Sequence, residues 1–167
     1  FASVALYENI YYKFTSNLAA SNFSEKFTYY TTRVNVAKWK ASDDSGAYVR
    51  DALRSLVVYG TCKETTFPYL KSGEVSSNYA EVPPAAAYTE ALKFQALTYL
   101  NIPSGNTTSE RNNALATLKG LLVQGYAFMA GFTCYNNIWN AVKGLIPLPN
   151  RSVIGGHAIC ITGYDDV

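Results

Sequence analysis

The apolar positions of three segments within the first 93 residues recur at helical spacing. Residues 2–14, 47–59 and 85–93 follow this pattern, and each is predicted to form a helix. Gly60 follows the second of these segments directly and supplies a helix stop. The aromatic stretch 27–39 fits either a helix or an irregular segment, and the pattern leaves both open. The first half is therefore predicted to be mainly helical.

The second half of the chain combines helical and strand-like segments. Residues 114–124 carry leucines at helical spacing and predict a helix that ends at Gly125. Residues 126–135 form an apolar run that predicts a buried strand, and residues 96–102 are also strand-like. A further buried strand is predicted in the stretch that begins at Gly155.

Helices followed by strands that alternate with short helices are typical of the α+β class. Residues 71–84 contain a glycine and two prolines, and they mark the most favourable place for the chain to pass between two lobes. We therefore predict a helical lobe, residues 1–84, and a β-rich lobe, residues 85–167, which together form one domain.

Composition and charge narrow the classes of function. The chain has 167 residues, of which 49% are hydrophobic and 16% charged, and this balance suits a packed core and excludes a disordered chain. The net charge is +2 and basic residues are scattered, which argues against nucleic-acid binding. No apolar run reaches the roughly 18 residues that a membrane helix needs. The sequence thus predicts no nucleic acid and no membrane as partner.

The cysteines give no indication of a metal site. Cys62, Cys134 and Cys160 lack the spacing of metal ligands. Cys134 and Cys160 lie in apolar strand-like runs and are predicted to be buried thiols. For Cys62, a buried thiol and a disulfide both stay open. Asp165 and Asp166 fit a turn better than a cation site, because no third ligand is spaced nearby. We expect no metal and no cofactor.

The stretch from Gly155 to Asp166 holds the only histidine of the chain, His157. Because side chains alternate along a strand, Ile159 and Ile161 are expected to share a face with His157. The glycines before the histidine allow another backbone or a substrate to come close. The side chain that titrates near neutral pH is therefore predicted to lie on a rigid strand, at its entrance.

Three blocks of the sequence share one resemblance. The first block spans residues 45–69 and includes Gly60-Thr61-Cys62-Lys63-Glu64 and Phe67-Pro68-Tyr69. The second block spans residues 118–135. The third block consists of Gly144-Leu145-Ile146-Pro147, Gly155-Gly156-His157-Ala158 and Gly163-Tyr164-Asp165-Asp166. In this order, the blocks resemble the papain-like cysteine peptidase family, especially its microbial and viral branch. The resemblance implies the two-lobed α+β fold of that family, with residues 1–84 and 85–167 forming one catalytic-type domain.

The resemblance also implies a set of four catalytic groups. In such peptidases a cysteine thiolate attacks the peptide carbonyl, a histidine protonates the leaving amine, a glutamine stabilises the oxyanion and an asparagine orients the histidine. The chain matches one of the four, His157, as the catalytic acid and base. In the family's Cys-x-Ala pattern Ala2 takes the alanine position, so the nucleophile is expected immediately before Phe1. The asparagine is expected beyond Val167, and we expect a chain cut at both ends.

These matches lead to two main hypotheses for function. The first is a cysteine-type endopeptidase that acts on peptide or protein substrates, seen here without its nucleophile and its asparagine. The alternative is a catalytically inactive papain-like protein that serves as a structural or binding component. The missing catalytic groups and the many tyrosine, serine, threonine and asparagine residues motivate this alternative.

Overall fold

The computed structural model of the protein describes residues 1–166 and has an α+β architecture. In chain order its elements are α1 (Ala2–Thr15), α2 (Glu25–Tyr30), a π-helix (Thr31–Val36), α3 (Val49–Val58), α4 (Ala85–Ala91), α5 (Thr108–Val123), β1 (Phe128–Tyr135), a 3-10 helix (Asn136–Asn140) and β2 (Val153–Ile161). The predicted α+β class is confirmed, and so are the helices predicted in the first half.

The stretch 27–39, left open by its pattern, is helical over most of its length. Ser24 caps α2 by accepting a hydrogen bond from the backbone N–H of Phe27 at 3.0 Å. The chain then continues without a break into the π-helix. The hydroxyls of Thr31 and Thr32 donate to main-chain carbonyls of the preceding turn, which keeps these polar side chains satisfied inside the protein.

Two expectations for the second half were wrong. Residues 96–102, predicted as a strand, have no regular structure, because neither strand among the described residues pairs with them. Leu97 and Leu100 are 98% and 86% exposed there. Helix α5 begins at Thr108, well before the predicted residue 114. The missed signal is a capping box, in which Thr107 and Glu110 each bond the other's backbone N–H.

Strands β1 and β2 form an antiparallel pair. The register places Phe128 opposite Ile161 and Phe132 opposite His157. An irregularity between Cys134 and Tyr135 shifts the pairing beyond this point. Helix α1 packs against both strands, and it therefore joins the sheet to the rest of the fold.

The best-buried apolar cluster lies among the helices of residues 25–91. It joins α2 and α4 to the loop that follows α3, through Phe27, Cys62, Phe67, Ala87 and Ala91. Tyr88 packs against this cluster, with its ring centroid 5.2 Å from that of Phe27. The helices are thus held together by a small aromatic core.

Arg33 is a fully buried cation on the π-helix. Its guanidinium donates to the carbonyl oxygens of Ala41 and Asp43, and to that of Tyr79 at 2.7 Å. The rings of Tyr29 and Tyr79 lie 4.1 and 5.3 Å from its Cζ atom. No carboxylate among residues 1–166 forms an ion pair with it. Arg33 therefore anchors two loops to the helical core through backbone acceptors.

We expect Arg33→Met to lower the free energy of unfolding by roughly 2–4 kcal/mol, because three backbone carbonyls lose the hydrogen-bond donor that holds their loops to the core. Arg54→Met is the matched control, since Arg54 lies exposed on α3. Urea titrations of both variants beside the wild type provide the comparison. Equal midpoints for the two variants would show that this anchor contributes nothing to stability.

Gly60, predicted as the helix stop after α3, has a φ of +70°. A Cβ atom at this position would lie 2.1 Å from the carbonyl oxygen of Ala91. Gly46 also has a positive φ, +81°, but a Cβ atom there would meet nothing within 4 Å. Gly60 is therefore required both for its backbone conformation and for the close approach of α4.

We expect Gly60→Ala to lower the free energy of unfolding by roughly 2–5 kcal/mol, the sum of left-handed strain and a backbone clash. Gly46→Ala is expected to cost only about 1–2 kcal/mol, since strain acts there without the clash. Thermal unfolding of both variants measures the difference. A Gly46→Ala variant as unstable as Gly60→Ala would contradict this explanation.

Candidate active site

His157 lies in the middle of β2, with its side chain exposed. Its ring is 5.9 Å from that of Phe132 on β1, at an interplanar angle of 77°. The strand was predicted to be buried, but only its second half, from Ala158 onward, is partly covered. The prediction of a buried strand with His157 at its entrance is therefore wrong on both points, because the histidine lies within β2 and the strand is exposed as far as the histidine.

Side-chain alternation decides what surrounds the histidine. The register places Ala130 opposite Ile159 and Cys134 opposite Gly155, so these residues share the face of His157 and Phe132. A Cβ atom built on Gly155 would meet nothing within 4 Å. On this face, the large side chains of Phe132 and Ile159 lie beside the histidine, whereas the space next to Gly155 is open.

An apolar pocket of about 310 Å³ adjoins this face of the sheet. It includes Phe132 and Ile159, which are also the bulky neighbours of His157. The remaining lining comes from the end of β1, the 3-10 helix and the loop after it: Thr133, Tyr135, Asn137, Ile138, Ile146, Pro147, Leu148 and Pro149. The histidine therefore stands beside a concave apolar surface.

The hydrogen-bonding groups of His157 are available. The imidazole makes no hydrogen bond to another side chain or to the backbone of the described residues. The geometry thus allows His157 to bond groups that approach from the open side.

The three cysteines are free thiols and do not fit a nucleophile. Burial raises the pKa of the Cys62 thiol to about 12, so this thiol is protonated at neutral pH. Burial also raises the pKa of Cys160. Cys134 is buried in β1, as predicted, while Cys160 is only half-buried. For Cys62 the structure supports the buried thiol and not the disulfide.

Helix α1 is tied to the sheet near its C-terminal end. Lys13 donates a hydrogen bond to the carbonyl of Gln124 and lies 3.7 Å above the Tyr126 ring, just before β1. Near the other end, Ser3 and Val4 are buried, and Phe1 packs edge-on against Tyr69 at 5.3 Å. The helix predicted to follow the nucleophile is thus fixed at both ends.

The described residues hold neither a cluster of metal-ligating side chains nor a membrane-spanning helix. Among residues 1–166, no group of three or more histidine, cysteine, aspartate or glutamate residues is arranged to hold a metal ion. None of the described helices has the length and apolar character needed to cross a membrane.

One neighbour of the site could not be recognised from the sequence. Phe132 belongs to the predicted strand, but its position opposite His157 depends on the register of two strands joined by a long connection. Side-chain alternation predicts which residues share a face, not which residue of a distant strand stands opposite. The sequence singled out His157 by its glycine-rich block, and the catalytic role of this histidine stays a prediction.

A sequence comparison finds a viral relative. No protein-family model matches the chain. An uncharacterized peptidase C1-like protein of Acanthamoeba polyphaga mimivirus is 27% identical over 150 residues. That match covers 86% of this chain and 45% of the viral protein. The chain thus spans about half the length of this relative.

A comparison of structures finds a cysteine protease with a similar fold. The fold is similar to that of xylellain, a cysteine protease from Xylella fastidiosa, with a TM-score of 0.67 and 25% sequence identity. The match covers 86% of this chain and 54% of the xylellain chain. The predicted α+β papain-like fold is therefore confirmed. By sequence and by fold, this chain is similar to papain-like cysteine peptidases.

Proposed function

We propose that the protein is a cysteine-type endopeptidase in which His157 is the catalytic acid and base. The observation that carries the proposal is the place of this histidine, the only one in the sequence, exposed on a paired strand and open toward Gly155. The fold shared with xylellain, a cysteine protease, supports the same chemistry. The substrates are peptides or proteins, cleaved in a cleft between residues 1–84 and 85–167, a division that stays a prediction.

The proposal assigns the nucleophile to a cysteine immediately before Phe1. This position follows from the Cys-x-Ala pattern, in which Ala2 is the alanine. A cysteine there would stand at the N-terminus of α1, where the helix dipole lowers the pKa of a thiol. The buried state of Cys62 supports the assignment indirectly, since its protonated thiol is a poor nucleophile.

The path of α1 supports a nucleophile near His157. The last turn of α1 contacts Gln124 and Tyr126, next to the end of the sheet where Phe128 pairs with Ile161. From Lys13 back to Ala2 the helix spans about 16 Å. From Ile161 back to His157 the strand spans about 13 Å. Since α1 packs on both strands, a nucleophile at its N-terminus and His157 lie at similar chain distances from the same end of the sheet, which supports the proposal.

The reaction needs two proton transfers at one imidazole. The thiolate forms a bond to the carbonyl carbon, and the imidazolium of His157 gives its proton to the leaving amine as the C–N bond breaks. Water then attacks the thioester, and the neutral imidazole takes the water proton while the thiolate departs. Both ring nitrogens must be accessible for this, one toward the reaction and one toward an orienting group. The proposal assigns that orienting role to an asparagine beyond Val167.

We expect His157→Ala in the full-length protein to lower kcat/KM for a fluorogenic peptide by about 10²–10⁴-fold, because general acid–base catalysis is lost. Val153→Ala, an exposed position on the same strand, is the matched control and should retain wild-type activity. Unchanged hydrolysis by the His157→Ala variant would refute the proposal. A wild-type protein that cleaves none of a broad peptide library would favour the inactive structural or binding component instead.

A further inference from the structure

We propose that Phe132 is a positioning residue that fixes the orientation of the His157 imidazole. The catalytic part of this inference rests on the proposed function of His157. Phe132 stands directly opposite His157 in the strand register, and the two rings are in edge contact with centroids 5.9 Å apart. Directly opposed side chains are the closest pairs of an antiparallel sheet. The contact is therefore built into the pairing of the strands.

The histidine needs such a contact because little else in the described residues restrains it. The imidazole is exposed and makes no hydrogen bond within residues 1–166. An exposed side chain exchanges rotamers on the picosecond to nanosecond timescale. Proton transfer in catalysis requires the imidazole to stay near one productive geometry. A neighbouring ring that blocks the other rotamers supplies this restraint.

The residues around Phe132 and His157 show why Phe132 is the main restraint on the imidazole. On the same face, the adjacent β1 positions are Ala130 and Cys134, whose side chains are small. The adjacent β2 positions are Gly155, which has no side chain, and Ile159, which is bulky. Phe132 and Ile159 thus restrict the imidazole on two sides and leave it free toward the glycine. The open side is where the proposed nucleophile and substrate would approach.

Phe132 is itself held in place by its surroundings. Its ring is half-buried and forms part of the apolar pocket, together with Ile159 and Pro147. An aromatic side chain has few rotatable bonds, so packing on one side fixes the whole ring. The restraint on His157 therefore comes from a rigid group rather than from a second mobile side chain.

The experiment compares Phe132→Leu with Phe128→Leu in the full-length protein. Both are the same substitution on the same face of β1, but Phe128 pairs with Ile161, away from the histidine. We expect Phe132→Leu to lower kcat about 10-fold with KM nearly unchanged, since misplacement of a catalytic group acts on the chemical step. Phe128→Leu should leave kcat near the wild-type value. Phe132→Tyr keeps the ring and should restore kcat.

The chemical shift of His157 in proton NMR reports the ring contact directly and does not depend on a change in stability. His157 is the only histidine of the described chain, and selective labelling of the variant and the wild type identifies its Cε1–H signal. This signal should shift in Phe132→Leu, where the ring current is lost, and keep its position in Phe128→Leu and Phe132→Tyr. The contact between the two rings should appear as a cross-relaxation peak in the wild type.

Each outcome decides a separate part of the account. An unchanged His157 signal in Phe132→Leu would overturn the ring contact and with it the inference. A shifted signal with unchanged kcat would overturn the positioning role while leaving the peptidase proposal intact. A wild-type protein without activity would refute the proposed function and any contribution of Phe132 to catalysis, whereas the NMR result would still decide whether Phe132 orients the imidazole.

Discussion

The antiparallel pairing of β1 with β2 is the constraint on which the candidate site depends. It places Phe132 opposite His157 and Ala130 opposite Ile159, and thereby decides what the imidazole touches. Because side chains alternate with period two, a slip of one residue would turn His157 to the other face. Apolar pairs such as Phe128 with Ile161 favour the observed register over such a slip. One register thus supplies both the bulky walls and the open side of the site.

The helical half of the molecule supplies the rigidity that the small sheet lacks. A buried aromatic cluster around Phe27 joins its helices, and Arg33 holds two loops through backbone carbonyls. Helix α1 connects these helices to the sheet, because it packs on both strands and Lys13 donates a hydrogen bond to the turn before β1. A site on such paired elements keeps its geometry better than one on loops. The chemistry proposed for His157 therefore depends on contacts far from the histidine.

Much of the fold could be predicted from local signals, and the failures have physical causes. Gly60 ended a helix as expected because its left-handed conformation excludes a side chain. Residues 96–102 carry strand-like residues, but strand formation requires a partner that the pattern of one segment does not contain. The start of α5 was missed although Thr107 and Glu110 form a capping box, a signal that is present in the sequence. At the candidate site, the sequence pattern singled out His157, whereas the position of Phe132 beside it follows only from the long-range strand register.

The central claim is that His157 works with a cysteine at the N-terminus of α1. The most direct measurement is mass-spectrometric mapping of the full-length protein after reaction with a thiol-directed epoxide. This claim predicts one labelled cysteine, in a peptide that joins directly onto Phe1, and unlabelled Cys62, Cys134 and Cys160, since Cys62 and Cys134 are buried and burial raises the pKa of the Cys160 thiol. Labelling at any of those three positions, or no labelling in a correctly folded sample, would contradict it.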